Sequence, residues 1–169
     1  MDAKSVGTMT ALSEVEAIYR EHVLDFRRVA AAISGDRGAA PDLVQEAFVR
    51  ALREVSSFDG RGPLHGWLWR IVVNVAKNHR RDLRQLIELP AEFSVSANGH
   101  GHSEFERVRA AVALLPERQR IVLFLRYYAD LDYAAIGQAA EISPGTVGAT
   151  LHAAHSALQQ LLLRSEATK

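Results

Sequence analysis

The stretch "ISPGTVGATLHAAHSALQQLLL", residues 142–163, decides how the chain is read. Val147, Leu151, Ala154, Leu158 and Leu162 recur every three or four positions, which makes it a helix with one buried face. Ser143 followed by Pro144 is a helix start: the hydroxyl caps, and Pro fits the first turn. Just upstream, Asp132 is placed to cap "YAAIGQAA" (133–140), and Ile136, Ala140 and Ile142 extend the apolar seam. Two short helices sharing one seam across a tight turn read as a helix-turn-helix, whose second helix normally enters a DNA groove. Yet no Lys or Arg occurs from Tyr127 to Leu163, while Asp130, Asp132 and Glu141 are acids. The seam is that of a DNA reader and the charge is not.

Upstream the chain is helical nearly throughout. Leu12, Val15, Ile18, Tyr19, Val23, Phe26 and 29–33 follow helical spacing over 12–33, and "SGDRGA" ends that helix. Pro41 opens a second, with a broad apolar face of Leu43, Val44, Ala47, Phe48, Ala51, Leu52 and Val55. "SSFDGRGP" is a loop, and a third helix is expected from about Leu64 to Leu86. Residues 87–106 have no sustained period and carry Pro, Gly, Ser and acids, so they read as a linker. "RVRAAVALL", "ERQRIVLFLRYYA" and the helix-turn-helix follow. The expected fold is all-α, with two small helical domains, 12–86 and 107–163, joined by a flexible linker. Residues 1–11 are expected to be a disordered N-terminus, and 164–169 a tail.

Composition narrows the function classes. Apolar residues make up 48% of the 169 and charged residues 24%, enough for a packed core. The absence of Cys excludes disulfides, thiol catalysis and Cys-ligated zinc, and suits a cytoplasmic protein. No apolar run approaches a membrane span, and "MDAKSVGTMT" has no secretory h-region. Net charge is zero but segregated. Residues 67–84 hold Arg70, Lys77, Arg80, Arg81 and Arg84 against Asp82 alone, whereas 89–106 hold three acids and no Lys or Arg.

Two constellations stand out. On the third helix, Arg70, Asn74, Lys77, Asn78 and Arg81 fall on one stripe. Arg and Lys hold phosphates, Asn offers a donor and an acceptor to a base edge, and Trp67 and Trp69 beside them either stack on bases or fill the core. On the second helix, Asp42, Gln45, Glu46 and Val49 share a face. That face is either a solvated helix start or a partner surface. No catalytic motif is present, and an enzyme is not expected. His100 and His102 sit in the linker without the carboxylates that would complete a metal site, and no cofactor is expected.

Three segments, "PDLVQEAFVRAL" (41–52), "FDGRGPLHGWLWRIVVNVAKNHRR" (58–81) and "LLPERQRIVLFLRYYADLDYAAIGQAAEISPGTVGATLHAAHSAL" (114–158), resemble an extracytoplasmic-function (ECF) sigma factor of the sigma-70 family. The resemblance covers roughly residues 14–85 and 107–163. It implies a promoter-specificity subunit that joins core RNA polymerase and opens promoter DNA. By the same resemblance, Asp42, Gln45, Glu46 and Val49 dock on the β′ clamp helices. Phe58, Asp59, Arg61, Trp67, Arg70, Asn74, Lys77, Asn78 and Arg81 handle the −10 element, including a flipped base. The linker threads toward the polymerase active-site cleft. The second domain meets the β-flap tip and reads the −35 element, here through Ser143, Thr146, Thr150 and His152. An anti-sigma factor or an activator protein is a further implied partner.

The recognition helix departs from the family pattern. Gly148, Thr150, Ala153 and His155 stand where the family usually has basic residues, and Glu141 stands where the turn usually has Gly. Three readings stay open: weak −35 recognition, reliance on an activator, or a domain that has become a protein-binding module on a polymerase-binding regulator.

Overall fold

The computed structural model describes residues 3–87 and 104–167. Seven helices, and no strand, are found among them: α1 (Ala3–Ser34), α2 (Ala40–Glu54), α3 (Leu64–Ile87), α4 (Glu104–Leu114), α5 (Glu117–Tyr127), α6 (Tyr133–Ala140) and α7 (Pro144–Ala167). A 3-10 turn, Val55–Ser57, follows α2. The all-α expectation holds.

Helix α3 is central, because its sequence is apolar on more than one side. Leu68, Trp69, Val72 and Ala76 are at most 1% exposed, and Ile71, Val73 and Val75 are buried beside them. It packs against α1, α2 and α6. Phe26 of α1 lies with its ring centroid 4.2 Å from that of Trp69 and 5.0 Å from that of Phe48 of α2, tying the first three helices together. The Trp69 indole N–H donates to His65 Nε2 at 2.9 Å, one turn back, so the polar end of a fully buried ring is satisfied. Burial, and then the nearby His22, pushes the His65 pKa down, which keeps the imidazole neutral and able to accept that bond.

The turn between α1 and α2 is fixed by Asp36, whose carboxylate accepts from the Ala39 backbone N–H at 3.0 Å. That bond holds the Asp36 pKa below its ordinary value, helped by His79 of α3 at 3.6 Å.

The helix-turn-helix forms as its punctuation predicts. Asp132 caps α6 by accepting from the Ala135 N–H at 2.8 Å, and Ser143 Oγ accepts from the Thr146 N–H at 3.1 Å to start α7. Ile136, Val147 and Ala154 are completely buried, and Leu151 is nearly so. Glu141 closes α6 in the left-handed conformation, φ 57° and ψ 44°, at a position where glycine would be unstrained. Across this turn the Ile142 N–H donates to the Gly137 carbonyl at 2.9 Å.

Three boundaries differ from the sequence reading. Helix α1 begins at Ala3, inside the stretch 1–11 expected to lack structure; no Pro interrupts it, and Ala11 and Leu12 pack on the core. Glu104–Glu106, assigned to the linker, are the acidic first turn of α4, favoured there by the helix dipole. The expected tail from 164 is helical to Ala167 as the end of α7. The rest of the expected linker, 88–103, with His100 and His102, lies outside the described residues.

Gly137 leaves no room for a side chain, since a Cβ there would lie 2.7 Å from the Ile142 carbonyl oxygen. Gly137→Ala should therefore lower stability by about 1–3 kcal/mol, as overpacking against backbone does. Urea unfolding followed by circular dichroism measures it, and an unchanged midpoint would show that the turn yields freely.

Candidate nucleic-acid and partner-binding surfaces

On α2, the apolar residues Leu43, Val44, Ala47 and Phe48 turn inward. That leaves Asp42, Gln45, Glu46 and Val49 exposed together. With Arg50, Arg53 and Glu54 they line one shallow groove. Val49, 42% exposed, gives the groove apolar surface among charges; Leu52, 49% exposed, does not line it. Leu52 was expected on the broad apolar face; it sits at the edge of that face, about 80–100° around the helix from Val44 and Ala51, and is exposed where those two are each 1% exposed. Glu46 is paired with Arg50 at 3.5 Å.

The loop before α3 is shaped by Asp59, which accepts from the Arg61 N–H at 3.0 Å and pairs with the Arg61 guanidinium at 3.3 Å. Phe58 is half-buried, while Asp59 and Arg61 are exposed. Along α3, Arg70 and Asn74 are half-buried, and Lys77, Asn78 and Arg81 are exposed. The stripe drawn from spacing is thus one continuous face. Two of its cations meet acids: Lys77 lies 3.9 Å from Glu117 of α5, and Arg81 lies 3.6 Å from Asp82.

Both tryptophans are in the core. Trp69 is fully buried, and Trp67, placed among the base-contacting residues, is only 6% exposed, with its ring centroid 5.5 Å from that of Phe58. Trp67 therefore supports the loop from behind and presents no free ring for stacking. Arg80, counted in the basic run, is also buried, at 7% exposure. Burial, and then the neighbouring Arg120, lowers its pKa to about 10, which leaves it charged at neutral pH.

The helix-turn-helix presents a neutral face. Ser143 and Thr146 are exposed, but their hydroxyls lie 2.8 Å apart within the cap of α7. Thr150 is half-buried, and His152 is exposed. His155 Nε2 lies 2.8 Å from the Tyr127 hydroxyl.

Sequence reasoning missed Arg120, which is 7% exposed and donates to the Ala113 and Leu115 carbonyls at 3.0 and 2.7 Å, satisfying the end of α4. A charged residue four positions after a Pro-terminated helix carries no pattern that announces this. Gln138 was also missed. It reaches across to the loop and donates from Nε2 to the Arg61 carbonyl at 3.4 Å.

Residues 18–85 match the family model of sigma-70 region 2, and residues 105–158 match that of sigma-70 region 4. Those two regions in this order define the class: an RNA polymerase sigma factor. The chain is 30% identical over 145 residues to the ECF RNA polymerase sigma factor EcfG of Rhodopseudomonas palustris, covering 83% of this chain and 80% of the relative. It is 25% identical over 173 residues to SigW of Bacillus subtilis, covering 92% and 91%. Among solved structures, CnrH in complex with the cytosolic domain of CnrY has the same fold, with a TM-score of 0.69 and 21% identity over 95% of this chain and 97% of that one. RpoE of Bartonella quintana in complex with the anti-sigma factor NepR gives a TM-score of 0.63 and 21% identity over 87% and 97%. The chain belongs to the ECF sigma factors of the sigma-70 family. Sigma factors act with core RNA polymerase and promoter DNA in transcription initiation. No helix among the described residues is long and apolar enough to cross a membrane.

The neutral face of α7 yields a direct test. Each phosphate contact contributes about 0.9 to the slope of log affinity against log salt. Gly148→Lys with Thr150→Arg should tighten duplex binding by the full chain and steepen that slope by about two units. A Cβ at Gly148 meets only the ring of Tyr133, at 3.4 Å, and that ring is 46% exposed, so the helix accommodates it. A salt titration with duplex DNA compares the two proteins; equal slopes would remove this face from phosphate contact.

Proposed function

We propose that the chain directs promoter-specific initiation by dividing the work among three surfaces. The observation that carries the reading is the α3 face. It sets two amides, Asn74 and Asn78, among the cations Arg70, Lys77 and Arg81, beside an exposed loop braced by Trp67.

The α2 groove, with Asp42, Gln45, Glu46 and Val49, docks on the β′ clamp helices of core polymerase. Exposed Val49 supplies apolar area, and the carboxylates and Gln45 fix the register. The loop residues Phe58, Asp59 and Arg61 and the stripe Arg70, Asn74, Lys77, Asn78 and Arg81 engage the −10 element. The cations hold phosphate, and the amides read base edges. Flipping a base costs a few kcal/mol, offset by hydrogen bonds and stacking in the loop pocket. Region 4 sits over the −35 element and the β-flap tip, with Ser143, Thr146, Thr150 and His152 toward DNA. Without cations it acts through tethering, which raises its effective concentration once the holoenzyme is on the promoter. The complexes of RpoE with NepR and of CnrH with CnrY support an anti-sigma factor as a further partner of this chain.

A second reading is favoured by α7 itself. Its exposed side carries Gly145, Ala149, Ala153 and Ser156, with the Ser143 and Thr146 hydroxyls engaged in the cap. On that reading the helix-turn-helix is a protein-binding module on a polymerase-bound regulator. Run-off transcription with purified core polymerase decides between the two: promoter-specific product supports the first, and its absence supports the second.

Three variants test the surfaces. Asp42→Lys with Glu46→Lys should abolish capture of core polymerase, because charge reversal adds repulsion to the lost bonds; wild-type capture would remove α2 from the docking role. Asn74→Ala should shift −10 preference by an amount equivalent to about 1–3 kcal/mol at one position, whereas Arg81→Ala should weaken all sequences alike. Run-off on a randomised −10 library separates these patterns, and a uniform loss for both would take Asn74 out of base reading.

A further inference from the structure

From Gly145 to Ser156 of α7, the only side chains that carry nitrogen are His152 and His155. They lie three residues apart on one face of the helix, and both are exposed. Their exposed neighbours Ala149, Ala153 and Ser156 are short, so the two rings reach furthest from this stretch. His155 is also held in place. Its Nε2 lies 2.8 Å from the Tyr127 hydroxyl of α5, and the two rings meet edge to face with centroids 5.8 Å apart. A hydroxyl both donates and accepts. It donates to Nε2 of the neutral ring and accepts from the N–H of the imidazolium, so the bond serves both states of the ring. In either state Nδ1 is the nitrogen left for a ligand.

Helix α7 packs on α4, α5 and α6, and the charges these elements carry are engaged elsewhere. On α5, Arg126 stands next to Tyr127 but binds the Leu131 carbonyl and lies 3.7 Å from Asp130. Helix α6 carries no charged residue, and its Tyr133 ring faces Gly148, one turn before His152. On α4, Arg107 reaches α7 at Leu162 and Ser165, about two turns past His155. Asp132 caps α6, and Glu141 precedes His152 by about three turns. No carboxylate pairs with either imidazole among the described residues. A proton on either ring therefore has no protein anion beside it and is left to an outside one.

We infer that His152 and His155 are the phosphate contacts of region 4 and hold phosphate as imidazolium. The recognition helix is neutral when both rings are deprotonated, and it becomes a cationic DNA-binding helix by taking up protons. Tyr127 is the positioning residue for His155. The inference rests on the assignment of α7 to the −35 element. Histidine is the side chain whose charge ordinarily changes between pH 5 and 8. A phosphate beside the ring favours its charged form, so the imidazolium is more stable in the DNA complex than in the free chain. By linkage, duplex affinity rises as pH falls and is lost as pH rises, with one proton taken up for each contact made.

Salt titrations of the full chain with duplex DNA at roughly pH 8 and roughly pH 6, either side of the ordinary imidazole pKa, test it. The reference is His152→Gln with His155→Gln, since Gln is a good helix former and does not titrate. At the higher pH the parent and this variant should show equal slopes of log affinity against log salt. At the lower pH the parent should bind several-fold more tightly than the variant, with a slope steeper by about two units. Comparing the two proteins cancels the response of the chain's other histidines. His152→Arg with His155→Arg should keep the steeper slope at both pH values. Tyr127→Phe, which retains the ring and loses the hydroxyl, should reduce the gain on acidification. Equal gains in the parent and the glutamine variant, or an arginine variant no steeper than the glutamine one, would overturn the inference. A full gain in Tyr127→Phe would take that residue out of positioning. Gly148→Lys with Thr150→Arg tells the two failures apart. If those cations steepen the slope while the histidines do not respond, the −35 assignment stands and the imidazole contacts fall. If neither change steepens it, α7 does not meet DNA and the assignment falls with them.

Discussion

The burial of α3 on three sides is the constraint on which the rest of the structure depends. A helix carrying Leu68, Trp69, Val72, Val73 and Ala76 has too much apolar surface for one neighbour, so α1, α2 and α6 all pack on it. Trp69 anchors the arrangement, packed on Phe26 and satisfied by His65. What remains to solvent is the polar stripe and the loop ahead of it. The side of α2 that faces away from α3 is left to carry the shallow groove of Asp42, Gln45, Glu46 and Val49. The position of both surfaces thus follows from which side of each helix is needed for the core.

Much of this was legible in the sequence, because it is written in local periodicity and punctuation. The seam Ile136, Val147, Leu151 and Ala154, the caps Asp132 and Ser143, and the exposed quartet on α2 follow from spacing of three to four residues and from capping chemistry. Trp67 and Arg80 were read only in part. Spacing sets Trp67 in line with Ile71 and Val75, and Arg80 in line with Val73 and Ala76, all buried, but an aromatic ring and a cation beside a polar stripe also suit nucleic acid, and residue type outweighed position in the reading. Arg120 and Gln138 were invisible for another reason, since their partners are carbonyl oxygens, which no side-chain pattern marks. The close approach of Gly66 to Ala135 joins positions 69 residues apart, beyond any local signal.

The recognition helix separates two properties that often travel together. Its apolar seam determines whether α7 packs, and its outer face determines whether it holds phosphate. The seam is complete and the outer face is neutral, so the fold persists without the charge. The left-handed Glu141 belongs to the same pattern, because the turn keeps its geometry although the residue that fits it best is absent.

The pairing of α3 with α6 also has a consequence for how the protein is made. Region 2 is complete at Ile87, but Ala135 and Gln138, which cover Gly66, are synthesised some fifty residues later. At about 5–20 residues per second, the flank of α3 stays bare for roughly 3–10 s of each chain's synthesis. During that interval the newborn chain displays its α2 groove and the bare flank of α3 at Gly66 together, whereas in the finished chain Ala135 and Gln138 pack on that flank.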